Sequence, residues 1–97
     1  MYAEINCLNP HDIQSNTLWE DTQALIQRKA QHLRKMSPSL DKSEIHLKAR
    51  HNMTSVRLIF HDKHHQTMET HVKSRNLNQA ISACFAKAER VLMKAKR

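Results

Sequence analysis

Residues 44–73 read EIHLKARHNMTSVRLIFHDKHHQTMETHVK, and the fold is decided here. Three runs alternate with a period of two. Ile45, Leu47 and Ala49 alternate with Glu44, His46, Lys48 and Arg50; Val56, Leu58 and Phe60 with Arg57, Ile59 and His61; Met68, Thr70 and Val72 with Glu69, His71 and Lys73. Successive side chains of a strand point to opposite faces, so each run has one apolar and one polar face, as in an antiparallel sheet covered on one side. The connections, around Asn52 and around Asp62-Lys63-His64, are short enough for hairpins.

Working upstream, residues 2–8 alternate with Ala3, Ile5 and Cys7 on one face, which predicts a further strand. Asn9, Pro10, His11 and Asp12 break that pattern. Thr17 and Glu20 stand in a capping-box arrangement before Leu18, Thr22, Leu25, Ile26, Ala30 and Leu33, which recur at helical spacing; Pro38 ends this helix by Ser37. Downstream, Asn76 is placed to cap a second helix, with Gln79 as its reciprocal partner. The apolar stripe of that helix is Leu77, Ile81, Cys84, Phe85, Ala88, Leu92 and Ala95. The order is β-α-β-β-β-α, and two helices must cover the apolar face of a four-stranded sheet. The expected class is α+β, a two-layer domain with both helices on one face. Its last five elements follow the order of a double-stranded-RNA-binding domain, an analogy of fold alone.

The 97 residues, expected to form a single domain over 1–97, carry 16 Lys+Arg against 9 Asp+Glu, a net charge of +7, with eight His and no glycine. Without glycine there is no Walker loop, dinucleotide fingerprint or GXXG clamp, and turns must use Asn, Asp, His and Pro. No apolar run approaches the ~18 residues that span a bilayer. The N-terminus lacks the plan of a signal peptide, and Cys7 and Cys84 read as buried thiols of a cytoplasmic protein.

The positive charge is placed unevenly. The second helix and its end carry Lys87, Arg90, Lys94, Lys96 and Arg97 against one acid, Glu89. Lys87, Arg90 and Lys94 recur three and four apart and so share one side of the helix. The first helix adds Arg28, Lys29, Arg34 and Lys35 with His32 between them, and Lys48, Arg50, Arg57 and Lys73 point outward from the sheet. Cations in a last turn are what the helix dipole favours, so basic ends alone are ordinary. The dipole does not account for the lack of compensating acids, which points to a polyanionic partner. A membrane surface is not expected, because both apolar helix faces are needed by the sheet. Phe60 and Phe85 read as core and Trp19 as packed beside the first helix, which leaves no aromatic platform for bases. Phosphate contacts and shape, as on structured RNA, should then dominate.

His61, His64, His65 and His71 raise a metal site as one reading, but no Cys or carboxylate stands at a ligand spacing, and the expectation is no metal. Protonation below about pH 6.5 would add positive charge. There is no nucleophile elbow, no H-E-x-x-H and no evident carboxylate pair, so no enzyme, no cofactor and no small-molecule substrate are expected.

The run Asn76-Leu-Asn-Gln-Ala-Ile-Ser followed by Lys87, Arg90, Leu92, Lys94 and Lys96, within the β-α-β-β-β-α order, resembles the ribosome hibernation-promoting factor and protein Y family. That family is also described as ribosome-associated inhibitor or sigma-54 modulation protein. The resemblance implies binding to the small ribosomal subunit and its 16S rRNA in the channel used by mRNA and tRNA, which idles ribosomes under stress. Carried over by position, it implies rRNA-contacting roles for Lys29, Lys87, Arg90 and Lys94. His32 stands where a lysine is common, and Arg28, Lys35 and Lys96 are supporting residues. Family glycines are missing, Asn76 and Ser82 replace the usual acids, and Asn78 stands at a tyrosine position, which makes the chain a divergent member. It resembles the short form, expected to act beside ribosome modulation factor. The runner-up is an RNA- or protein-binding regulator of this fold away from the ribosome, such as a transcription modulator; a His-based metal carrier is the third reading.

Overall fold

The computed structural model describes residues 3–7, 19–63 and 66–95. Its elements are β1 (Ala3–Cys7), α1 (Trp19–Met36), β2 (Leu40–Arg50), β3 (Met53–Asp62), β4 (Thr67–Ser74) and α2 (Leu77–Ala95), the order expected from the sequence. The strands form one sheet in the order β1-β2-β3-β4. The hairpins β2–β3 and β3–β4 are antiparallel, as the alternation requires. The sheet is mixed, however, because β1 pairs parallel with β2, Ala3 opposite Ser43 and Cys7 opposite Leu47. A strand that returns through a helix arrives parallel, and α1 is that crossover.

The inward-facing residues form the core. Ile45, Leu47, Val56, Leu58 and Phe60 of the sheet are fully buried against Ile26, Ala30 and Leu33 of α1 and Ala80, Ile81, Cys84, Phe85 and Ala88 of α2. Trp19, Ile5, Cys7, Leu25, Ala49, Met68 and Val72 pack at the margins of this cluster. β2 begins at Leu40, earlier than the run from Glu44 indicates. A register shift between Leu40 and Lys42 keeps both Leu40 and Ser43 inward although they are three apart.

Turn chemistry without glycine is visible at His51 and Asn52, both of which have positive φ (52° and 62°). They form the two-residue connection between Arg50 and Met53, where a right-twisted hairpin calls for left-handed backbone at both positions. Asn and His enter that region more readily than branched residues do. The β3–β4 connection is closed by Asp62, whose backbone N–H donates to the Gln66 carbonyl (3.1 Å) while its carboxylate accepts from the Gln66 N–H (2.9 Å).

α1 stops at Met36, two residues before Pro38, with the Ser37 N–H still donating to the Leu33 carbonyl at 2.9 Å. Asn76 caps α2: its Oδ1 accepts from the Gln79 N–H at 3.0 Å. The reciprocal bond differs from the expectation, since the Asn76 N–H is taken by Ser74 Oγ (3.3 Å) rather than by Gln79. The capping arrangement at Thr17, the breaker residues 9–12, and His64 and His65 lie outside the described residues.

Candidate nucleic-acid interface

Which cations meet depends on how the two helices lie on the sheet. Near the start of each helix Thr22 Oγ1 donates to Asn78 Oδ1 at 3.1 Å. Ten and eleven residues further on, His32 Nε2 lies 3.4 Å from Glu89 Oε1. Both contacts advance in the same direction, so α1 and α2 run side by side and roughly parallel. Their C-terminal turns, with Arg34 and Lys35 on α1 and Lys94 on α2, therefore share one end of the domain. The negative ends of the two helix dipoles point the same way and favour cations there.

α2 is anchored along its inward stripe, and the hydroxyl of Thr70 on β4 fixes its middle by donating to the Cys84 carbonyl (3.1 Å) and meeting Cys84 Sγ (3.1 Å). Burial pushes the Cys84 thiol up from its ordinary pKa, with Thr70 opposing the shift, so it stays protonated and packs as an apolar group. α1 is tied to the sheet edge by Gln27. Its Oε1 accepts from the Ala3 N–H and its Nε2 donates to the Ala3 carbonyl, both at 2.9 Å, covering groups of the edge strand β1.

The expected contact residues fall into two sets. Lys87, Arg90 and Lys94 are all exposed and lie one turn apart along α2. The Lys87 ammonium donates to the His71 carbonyl of β4 at 3.1 Å, so this stripe borders the open edge of the sheet. Glu89, the single acid of α2, is turned towards α1 and leaves the stripe uncompensated. On α1, Lys29 is half-buried, while Arg28, His32 and Lys35 are exposed. His32 sits over the seam between the helices, held beside Glu89. The structure thus brings Lys87, Arg90 and Lys94 into one row and Arg28, Lys29, His32 and Lys35 into another, with the His32–Glu89 contact between them. Lys96 lies outside the described residues. Sequence spacing does not disclose the Glu89 orientation or the Lys87 carbonyl contact, because both depend on which neighbour each flank of α2 meets.

The histidines of the sheet do not gather. His61 Nδ1 shares a hydrogen bond with Thr67 Oγ1 (3.0 Å) and its Nε2 lies 3.9 Å from Glu44, while His71 occupies another cross-strand row, opposite Arg57. No group of three His, Cys, Asp or Glu side chains suited to a metal ion occurs among the described residues. Nor, among them, is any helix long and apolar enough to cross a membrane.

Layering, strand order and charge define a small α+β domain that covers one sheet face with two parallel basic helices and, among the described residues, leaves the other open. The model of the family described as sigma 54 modulation protein / S30EA ribosomal protein matches residues 13–97, and the chain belongs to that family. The structure is similar to that of a ribosomal subunit interface protein from Coxiella burnetii, with a TM-score of 0.80 and 14% identity over 99% of this chain and 98% of that one. It is similar also to the N-terminal domain of Thermus thermophilus Protein Y, with a TM-score of 0.75 and 10% identity over 97% and 96% of the two chains. At these identities the likeness is one of fold. Comparison with curated proteins gave no match by sequence.

Proposed function

We propose that residues 1–97 act as one ribosome-binding domain, a hibernation or stasis factor that binds the small ribosomal subunit in its decoding channel. The reading rests on the exposed row Lys87, Arg90 and Lys94, uncompensated because Glu89 faces α1, in a chain of the S30EA family. The row and the α1 set Arg28, Lys29, His32 and Lys35 would neutralise 16S rRNA phosphates on two sides of the helical layer. The effect would be steric and electrostatic: a folded domain lying where mRNA and tRNA must pass inhibits translation without any bond being made or broken. The protein would then work in the cytoplasm with no cofactor, beside ribosome modulation factor where paired, inactive ribosomes form.

The reading is tested by sedimenting the purified protein with isolated small and large subunits at physiological salt, with and without mRNA and initiator tRNA. It should travel with small subunits and be displaced by the bound ligands. Migration with large subunits, or unaltered binding to small subunits already carrying mRNA and tRNA, would count against the decoding channel. Absence from both would favour a regulator acting away from the ribosome.

A further inference from the structure

The open face of the sheet carries a second basic surface, separate from the helices. Its outward side chains fall into cross-strand rows. Lys48, Ser55 and Lys73 form one row across β2, β3 and β4, with Arg50 beyond it at the β2–β3 turn. The next row is Asn6, His46, Arg57 and His71, and the one after it is Glu4, Glu44, Ile59 and Glu69. Charge is therefore uneven along the strands: the half near the turn carries cations, while the carboxylates Glu4, Glu44 and Glu69 stand in the other half, where Lys42 lies beyond them. Arg57 is spent within the face: its Nε and Nη2 donate to the two Glu69 oxygens at 2.6 and 3.0 Å. That hydrogen bond holds the Glu69 carboxyl below the usual carboxylate range, so the pair persists at neutral pH. Among the described residues no acid stands in the rows of Lys48, Lys73 and Arg50, and exposed Arg75 extends the same end.

The helical row leads away from this surface, meeting β4 only where Lys87 reaches the His71 carbonyl. Ser74 lies opposite Thr54, at the same end as the His51–Asn52 turn, and α2 starts there and runs the other way. Its 19 residues span about 28 Å. Lys94 thus sits at the far end and on the far face of a domain measuring 40 × 20 × 18 Å. It is about three Debye lengths of ~8 Å from the turn at physiological salt, while Lys87, bonded to the His71 carbonyl, is where the helical row comes nearest to the sheet face.

We propose that the turn half of the open sheet face is a second contact for the phosphate backbone of structured RNA, so that the domain engages two RNA segments, one on each face. The inference goes beyond the helical surface and stands on different residues. An acidic protein segment is the less favoured occupant. A protein interface needs a desolvated apolar or aromatic centre, whereas the large outward apolar side chains here are two isolated ones, Met53 opposite Arg50 at the rim of the turn and half-buried Ile59 among the carboxylates. Cations fixed on a rigid sheet, with neighbouring strands about 4.8 Å apart, suffice for a phosphate backbone.

The probe is a fluorescently labelled RNA hairpin of about 20 base pairs, long enough to pass both faces, titrated by anisotropy over a range of salt. Lys48→Glu/Lys73→Glu is compared with Lys42→Glu/Lys63→Glu, which makes the same charge change at the other end of the sheet. The first pair should weaken binding at least about tenfold and reduce the salt slope by about 1.4–1.8, two contacts at 0.7–0.9 each; the control should change affinity less than about threefold. The same loss should add to that of Lys87→Glu/Arg90→Glu/Lys94→Glu. Equal effects of the two pairs would overturn the proposal as bulk charge. A loss that vanishes in the helix variant would overturn it as one shared site. Unchanged RNA binding together with lost binding to a polyglutamate peptide would assign the face to protein. Should the Glu variant fail to fold, Lys48→Gln/Lys73→Gln removes the same two contacts; a reduced salt slope then supports the proposal and an unchanged one overturns it. The helix surface is tested by its own variant, so either may fail alone.

Discussion

The two helices lie side by side on one sheet but are held by different physics. α2 buries seven side chains, Leu77, Ala80, Ile81, Cys84, Phe85, Ala88 and Leu92, over β3 and β4. α1 buries Thr22, Ile26, Ala30 and Leu33 and completes its attachment through polar bonds: Gln27 to Ala3, Thr22 to Asn78 and His32 beside Glu89. Apolar burial contributes in proportion to area, while a single hydrogen bond nets about 0.5–1.5 kcal/mol. α2 is therefore a rigid rail carrying Lys87, Arg90 and Lys94, and α1 is the more easily released partner carrying Arg28, Lys29, His32 and Lys35. Regions with fewer buried apolar contacts open at lower free energy.

The largest expected effect strikes the rail. Phe85→Ala removes a fully buried ring beneath α2 and should cost about 3–5 kcal/mol in denaturant unfolding; a loss under about 1 kcal/mol would mean that α2 is not the anchor. Gln27→Ala should cost about 1–3 kcal/mol, since it strips both bonds from Ala3. Hydrogen exchange should then quicken in β1 and α1 and stay as it is in α2. Uniform acceleration would erase the distinction between the helices. Asn52→Val forces a branched residue into left-handed backbone and should cost about 1–2 kcal/mol, whereas Asn52→Gly should be nearly neutral. This change acts on the hairpin under both helices, so the difference in exchange between them should survive it. The smallest effect is a gain. Ser43 is fully buried opposite Ala3, and its hydroxyl has no hydrogen-bond partner among the described residues. Ser43→Ala should stabilise the β1–α1 side by about 1 kcal/mol, read as a higher denaturation midpoint.

Much of the fold is legible in the sequence because period-two alternation and helical stripes record which side faces the core. Phe60 and Phe85 follow from that pattern; the Asn76 cap and the turn around Asn52 follow from residue type, although the Asn76 N–H is met by Ser74 rather than Gln79. The early start of β2 is not legible, since the shift between Leu40 and Lys42 breaks the period that marks the strand. The parallel pairing of β1 is not evident from its five residues either, although the helical crossover implies it. Gln27, mid-helix and polar, carries no local signal of its bonds to Ala3, because its partner lies 24 residues away. At the candidate interface the spacing of Lys87, Arg90 and Lys94 reveals the row. The orientation of Glu89, which leaves that row uncompensated, emerges only once α1 is in place.

Under the proposed function this row grips the small subunit. That grip is tested most directly by co-sedimenting Lys87→Glu/Arg90→Glu/Lys94→Glu with small ribosomal subunits beside the unaltered protein, folding being checked by circular dichroism. The unaltered protein should descend with the subunits, and the variant, with an unchanged spectrum, should stay at the top of the gradient. A folded variant that descends equally well would contradict this reading.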